Sequence, residues 1–162
     1  MKLTRQGKFE RTDIWREGKW IDLWSVVHFL SGISLGLGTY FFKFGIQSSF
    51  VIVFLLLIAY EMWEAMVKIE ETPHNRFMDV VVGMTSFTPT FLFLAPEFTR
   101  SHLVLVFGLV LTFNVVLATF GWLESRKAQE LEKKLRAEIA ARRARFMESR
   151  AQRRRQKDGR GV

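Results

Sequence analysis

The chain of 162 residues has room for one domain, and 49% of its residues are hydrophobic. It contains no cysteine, which excludes disulfides, cysteine-based zinc sites, thiol catalysis and haem held through thioether bonds. The net charge of +8 belongs to residues 124–162, which hold fourteen Lys/Arg and six Asp/Glu, whereas residues 1–123 hold ten of each.

Long apolar segments exclude an ordinary soluble globule, because a helix of about 20 apolar residues is long enough to cross a hydrocarbon core of roughly 30 Å. Four segments fit this description: residues 24–44, 49–67, 79–94 and 102–123. The third contains Pro89, which we expect to kink the helix rather than end it, because neighbouring helices can satisfy the freed carbonyl groups. The sequence therefore predicts an all-α, four-span transmembrane helical bundle. Its predicted parts are a cytoplasmic or interfacial N-terminal segment (1–23), a transmembrane domain (24–123) and a basic cytoplasmic tail (124–162).

The distribution of Lys and Arg predicts the orientation of these spans. Six precede the first span, two lie between the second and third, and fourteen lie in the tail, which makes 22 against only Lys43 and Arg100 in the other two loops. Because Lys and Arg are enriched on the cytoplasmic side, both termini are predicted to be cytoplasmic. We expect a multi-pass protein of the bacterial cytoplasmic (inner) membrane.

Small residues predict where the spans pack against each other. Gly32 and Gly36 form a GxxxG pattern in the first span, which lets another backbone approach closely. The third span carries a small and polar stripe at helical spacing, formed by Asp79, Gly83, Ser86 and Thr90. Before this span, Thr72 followed by Pro73 predicts a helix N-cap and first turn. In the fourth span, Asn114 is expected to form an interhelical hydrogen bond.

Ionisable side chains are rare in the predicted spans and gather towards the cytoplasmic side. His28 lies about four residues inside the first span, and Glu61 and Glu64 lie on one face near the end of the second. Asp79 opens the third span. The segment before it adds further polar groups: His74, Asn75 and Arg76. Since ionisable groups within a membrane are costly, the sequence predicts a polar pocket at this end.

Three interpretations of this pocket remain open. The side chains can satisfy one another and hold the helices together. They can form a mixed nitrogen and oxygen site for a divalent metal such as zinc, manganese or iron, from His28, Glu61, Glu64 and Asp79. They can also bind an anionic headgroup through Arg76, His74 and Asn75, with the carboxylates and His28 as catalytic acid and base. No nucleotide or haem motif is present, and whether the protein is an enzyme stays open.

The order of these polar residues resembles the VanZ-like group of small bacterial membrane proteins, which includes the YjdF-like families. The resemblance covers about residues 20–95 and rests on Asp22…His28, Glu61-Met-Trp-Glu64 and Arg76-x-x-Asp79-x-x-x-Gly83. Gly83 stands where VanZ-like members tend to have Asn. The resemblance implies a helical bundle that binds or processes an envelope lipid or small anion. Carried over by position, the matched polar set is His28, Glu61, Glu64, Arg76 and Asp79. We expect Glu61 or Glu64 to be the acid, base or ligand, with His28 and Asp79 as partners and Arg76 as the anion contact.

The basic tail predicts further partners. Its composition favours a helix from residue 124 to about 147, which can continue span four, and disorder from about residue 148. Next to a membrane, clustered Arg first suggests anionic lipid headgroups, and nucleic acid second. The alternative function is a non-catalytic scaffold or accessory subunit that packs on protein partners or on copies of itself in a larger complex.

Overall fold

The computed structural model describes residues 2–3, 9–10, 14–15, 18, 20–66 and 72–158, with the backbone alone at 2–3, 9–10, 151 and 153–158. Much of the predicted N-terminal segment, the link 67–71 and residues 159–162 lie outside the described residues. Four α-helices follow in chain order: α1 (Leu23–Phe41), α2 (Ile46–Met66), α3 (Pro73–Pro89) and α4 (Arg100–Asp158).

Short irregular elements complete the described chain. A π-helical turn (Thr90–Leu94) and a 3-10 turn (Ala95–Glu97) continue α3. Two strands of two residues each, β1 (Lys2–Leu3) and β2 (Phe9–Glu10), pair antiparallel. Apart from this pair the described secondary structure is helical, which confirms the predicted all-α class.

The chain divides into two compact units. The larger unit, Asp13–Glu124, contains α1 to α3 and residues 100–124 of α4. The second unit combines Met1–Thr12 with Ser125–Val162 and contains the strand pair and the remainder of α4. In the second unit the helix runs to Asp158, past residue 148, from which the composition predicts disorder.

Three helical segments of the described chain are long and apolar enough to cross a membrane: Ile46–Met66, Pro73–Glu97 and Arg100–Arg150. They correspond to the second, third and fourth predicted spans. The first predicted span is not among them, because Ser, Gly and Thr residues and His28 lower the hydropathy of α1. The described part of the chain is therefore that of a membrane protein, with three helices able to cross a membrane.

Most of the large apolar side chains of α2 are exposed, unlike those of a helix in a soluble protein. Only one stripe is buried, with a spacing of four residues: Ser49, Val53, Leu57 and Glu61. The neighbouring Phe54, Leu55 and Leu56 are 45 to 57% exposed. A helix that hides polar groups and exposes large apolar ones suits a lipid environment, where apolar side chains need no burial.

The closest packing in the bundle joins α1 to α3. A Cβ atom on Gly32 would overlap Ser86 Oγ and the carbonyl oxygen of Gly83, and one on Gly36 would lie 2.9 Å from Thr90 Cγ2. The predicted GxxxG contact and the small stripe of the third span are thus confirmed as two sides of one interface. Glycine is required at residue 32 because the opposing atom belongs to the backbone.

Both ends of α3 follow from local sequence. Thr72 caps the helix, since its Oγ1 accepts a hydrogen bond of 3.2 Å from the Asn75 N–H, and Pro73 occupies the first turn as predicted. Pro89 lacks an N–H, and the regular α-helix gives way there to the π-helical turn. The segment continues through this turn to Glu97, so the proline changes the helix without ending the span.

Side chains connect α4 to α1 within the larger unit. Asn114 Nδ2 donates a hydrogen bond of 2.8 Å to Ser31 Oγ, which confirms the predicted interhelical bond. Towards the N-terminal end of α4, Leu103 packs in one cluster with the fully buried Leu37, and the Phe107 ring lies against Gly38. These contacts leave most of the outward face of α4 exposed.

Candidate functional site

Three buried ionisable side chains meet at the end of the bundle where α1 and α3 begin and α2 ends. His28 Nε2 lies 3.6 Å from Glu61 Oε1 and 3.9 Å from Asp79 Oδ2. One ligand atom from each residue lies within 4.8 Å of the other two. We call His28, Glu61 and Asp79 the polar cluster. Sequence analysis predicted that these three residues from three helices share one pocket, and the structure brings them together.

The spacing that packs the helices also positions the cluster. His28 precedes Gly32 by four residues on α1, and Asp79 precedes Gly83 by four residues on α3, so each side chain lies one turn from the close α1–α3 contact. Glu61 is the last member of the single buried stripe of α2. The close packing of the helices therefore buries these three side chains and places them next to one another.

A hydrogen-bonded network supports the Asp79 side of the cluster. Ser25 Oγ donates to Asp79 Oδ1 at 2.7 Å, and the Asn75 amide donates to Asp79 Oδ2 at 3.2 Å and to Asp22 Oδ2 at 3.1 Å. We call Asp22, Ser25, Asn75 and Asp79 the clamp, because it ties the first turn of α1 to the first turns of α3. Ser25, Asn75 and Asp79 are all buried.

Asp22 anchors the clamp through the start of α1. Its Oδ1 accepts from the N–H groups of Trp24 and Ser25, and Ser25 Oγ accepts from the Asp22 N–H, which completes a capping box. The Gly18 N–H adds a bond of 2.7 Å to Oδ2. Asp22 belongs to the motif that carries the family resemblance, but neither Asp22 nor Ser25 was predicted as a site residue. The Asp-x-x-Ser spacing at the helix start is the signal that could have identified them.

Three further residues predicted for the site lie outside the polar cluster. Glu64 is half-buried and is not part of the group of three side chains close enough to share one ion. His74 is exposed and packs edge-on against Trp20, with the ring centroids 5.0 Å apart. Asn75 is fully buried in the clamp rather than open to an anion.

Arg76 lies in a side cleft formed by α2 and α3. The cleft has a volume of about 340 Å³, and its walls combine two ionisable residues with apolar ones: Phe54, Ile58, Glu61, Met62, Ala65, Arg76, Phe77 and Val80. Glu61 thus belongs both to the polar cluster and to the cleft wall. Its side chain is the link between the buried groups and a space that a ligand can occupy.

A larger cavity, of about 660 Å³, lies at the opposite end of the bundle, away from the polar cluster. Its walls are mainly aromatic and aliphatic, and they include Lys43 and Arg100. The Arg100 guanidinium lies over the Phe41 ring, 5.2 Å from its centroid. In the sequence, Lys43 and Arg100 served only to predict the orientation of the spans in the membrane. No local motif indicates the cavity.

The arrangement can support two kinds of chemistry. An imidazole nitrogen and two carboxylates are ligands for a divalent transition metal. The same groups can donate and accept protons for a ligand held in the side cleft. Comparison of the chain with protein-family models, with curated proteins and with solved structures finds no match. The choice between these chemistries therefore depends on the geometry.

Proposed function

We propose that this protein is a VanZ/YjdF-like integral protein of a bacterial cytoplasmic membrane that binds or processes an anionic envelope amphiphile in the side cleft. One observation carries this proposal, namely that Glu61 lies at once in the cleft wall and in the polar cluster. An amphiphile in the cleft would meet Glu61 with its polar head. The proposed role of the cluster is to act on, or to recognise, that head.

The proposed topology has four spans, with α1 as the first. Its 19 residues extend about 28 Å at ~1.5 Å per residue, which is close to the roughly 30 Å thickness of a hydrocarbon core. The concentration of Lys and Arg before α1, between α2 and α3 and in the tail supports cytoplasmic termini. The cleft and the polar cluster then face the cytoplasmic leaflet.

The walls of the cleft fit an amphiphile. Phe54, Ile58 and Phe77 offer an apolar surface for an alkyl chain, and the Arg76 guanidinium offers paired donors for a phosphate or carboxylate. Glu61 would serve as acid or base on the head, with His28 beside it. The basic tail is proposed to contact anionic headgroups, at about 1 kcal/mol per basic residue near the surface, with nucleic acid as the second choice of partner.

The clamp favours a second candidate, a non-catalytic scaffold or accessory subunit of a larger complex. Asp79 is 1% exposed and accepts hydrogen bonds from Ser25 and Asn75, as expected of a group whose task is to join two helices. On this view only the clamp is needed, and the cleft holds no specific ligand.

Lipid binding to matched variants separates the two candidates. Native mass spectrometry of the purified protein with phosphatidic acid is expected to show at least about tenfold weaker binding for Arg76→Gln, because a charge-assisted hydrogen bond contributes about 1.5–3 kcal/mol. The control is Arg100→Gln, which removes the same charge from an exposed residue at the opposite end of the bundle, away from both the cleft and the tail. Equal affinities for the two variants would reject the cleft as the binding site and favour the scaffold.

A further inference from the structure

We propose that the polar cluster binds one divalent transition-metal ion through His28 Nε2 and one carboxylate oxygen each from Glu61 and Asp79. With the metal bound, Glu61 and His28 would act as ligands in place of the acid–base role given above. The proposal does not depend on the amphiphile, because all three ligands are side chains of this chain. Ligand atoms from three helices already lie within 4.8 Å of one another.

The distances suit a shared ion better than direct pairing. Nε2 lies 3.6 Å and 3.9 Å from the two carboxylate oxygens, beyond the roughly 3.2 Å limit of a good N–H···O hydrogen bond. Around a tetrahedral metal with bonds of about 2.0–2.1 Å, neighbouring ligand atoms are about 3.4 Å apart. Small side-chain movements would bring all three ligand atoms to this separation.

The imidazole of His28 provides an independent observation. The residue is 5% exposed, and its Nε2 lies within 4 Å of an oxygen of each carboxylate. Its ring also packs edge-on against Tyr60, with the ring centroids 5.5 Å apart. A buried imidazole nitrogen this close to an oxygen of each of two carboxylates can share one metal ion with them.

The negative charges of Glu61 and Asp79 also favour a bound metal ion. A divalent cation between the two carboxylates would balance their negative charge in this buried position. The clamp supplies the outer layer of such a site, because Ser25 and Asn75 hold the two oxygens of Asp79 in place. Hydrogen bonds of this kind orient metal-binding carboxylates.

The chemical types of the three ligands restrict which metal ion can bind. One imidazole and two carboxylates suit zinc, manganese or iron, whereas calcium and magnesium prefer oxygen alone and copper(I) prefers sulfur. Three protein ligands leave a coordination position for water or substrate, as in catalytic zinc sites. Glu61 also lines the side cleft, which gives that position access to a ligand.

Metal binding can be measured on the full chain in detergent, without lipid. After treatment with a chelator, the protein is dialysed against Zn²⁺ or Mn²⁺, and bound metal is measured by inductively coupled plasma mass spectrometry. We expect one ion per chain for the wild type. His28→Gln and Glu61→Gln should weaken binding by more than about 100-fold, beyond the 10–100-fold effect typical of outer-layer partners.

The matched control is Glu64→Gln, which removes a carboxylate three residues along the same helix and should leave binding unchanged. Pulsed electron paramagnetic resonance of the Mn²⁺-loaded wild type provides a second readout that does not require a variant to fold. With ¹⁵N-labelled histidine, it should detect one imidazole nitrogen coupled to the metal.

Three results would overturn the proposal: no stoichiometric ion in the wild type, no imidazole coupling, or a loss in Glu64→Gln as large as that in Glu61→Gln. None of these results would contradict amphiphile binding in the side cleft, because lipid affinity and its dependence on Arg76 are measured separately.

Discussion

The contact at Gly32 predicts a large effect from a single methyl group. In Gly32→Ala the new Cβ overlaps Ser86 Oγ and the carbonyl oxygen of Gly83. The serine can rotate, but the carbonyl belongs to the backbone of α3 and cannot move away without separating the helices. Overpacking of this kind costs about 1–3 kcal/mol. Separation also weakens the Ser25–Asp79 and Asn75–Asp22 hydrogen bonds, each contributing about 0.5–1.5 kcal/mol.

We therefore expect Gly32→Ala to lower the free energy of unfolding by about 2–4 kcal/mol, the overpacking cost together with part of the lost hydrogen bonding. The assay is reversible unfolding in mixed micelles followed by circular dichroism. Gly108→Ala is the matched control, because a Cβ there meets nothing within 4 Å. The control should be neutral or up to about 1 kcal/mol more stable through helix propensity. A loss below about 0.5 kcal/mol for Gly32→Ala, or an equal loss in both variants, would refute the proposed close contact.

Three smaller predictions use the same unfolding assay. Lys43 lies two residues after the end of α1 and has φ 59°, so Lys43→Gly should raise stability by about 0.5–1 kcal/mol by relieving a left-handed conformation, and a loss would contradict that backbone. Thr72→Ala should cost about 1 kcal/mol, because the Asn75 N–H loses its cap, whereas Thr72→Ser should retain most of it. Asn114→Ala should cost about 0.6 kcal/mol through the lost bond to Ser31, and additivity with Ser31→Ala would argue against that bond.

The helices and their closest contact could be predicted from short-range patterns. Gly32 and Gly36 are spaced for helix packing, and Thr72-Pro73 encodes the start of α3 within two residues. The meeting of His28, Glu61 and Asp79 was predictable because a bundle brings together polar groups at the same depth. Such features depend on local spacing, and local spacing is visible in a sequence.

The choice between Glu61 and Glu64 was not predictable, because residues three apart share the same broad helix face. The packing of α2 on its neighbours determines which one is buried. Glu61 lies in the buried stripe, whereas Glu64 is half-buried. The bond between Asp22 and Asn75 spans 53 positions of sequence, and no local pattern links them. The fully packed ring of Trp15 against Gly121 is a similar long-range contact.

Photo-crosslinking can show whether an anionic amphiphile occupies the side cleft. Phosphatidic acid with a photoreactive alkyl chain is added to the purified wild type, and the labelled residues are identified by mass spectrometry. If the alkyl chain occupies the cleft, Phe54, Ile58 and Phe77 should be labelled in preference to Phe113, an exposed aromatic residue on α4. Arg76→Gln should abolish that preference. Equal labelling of the cleft and of Phe113 in the wild type would contradict it.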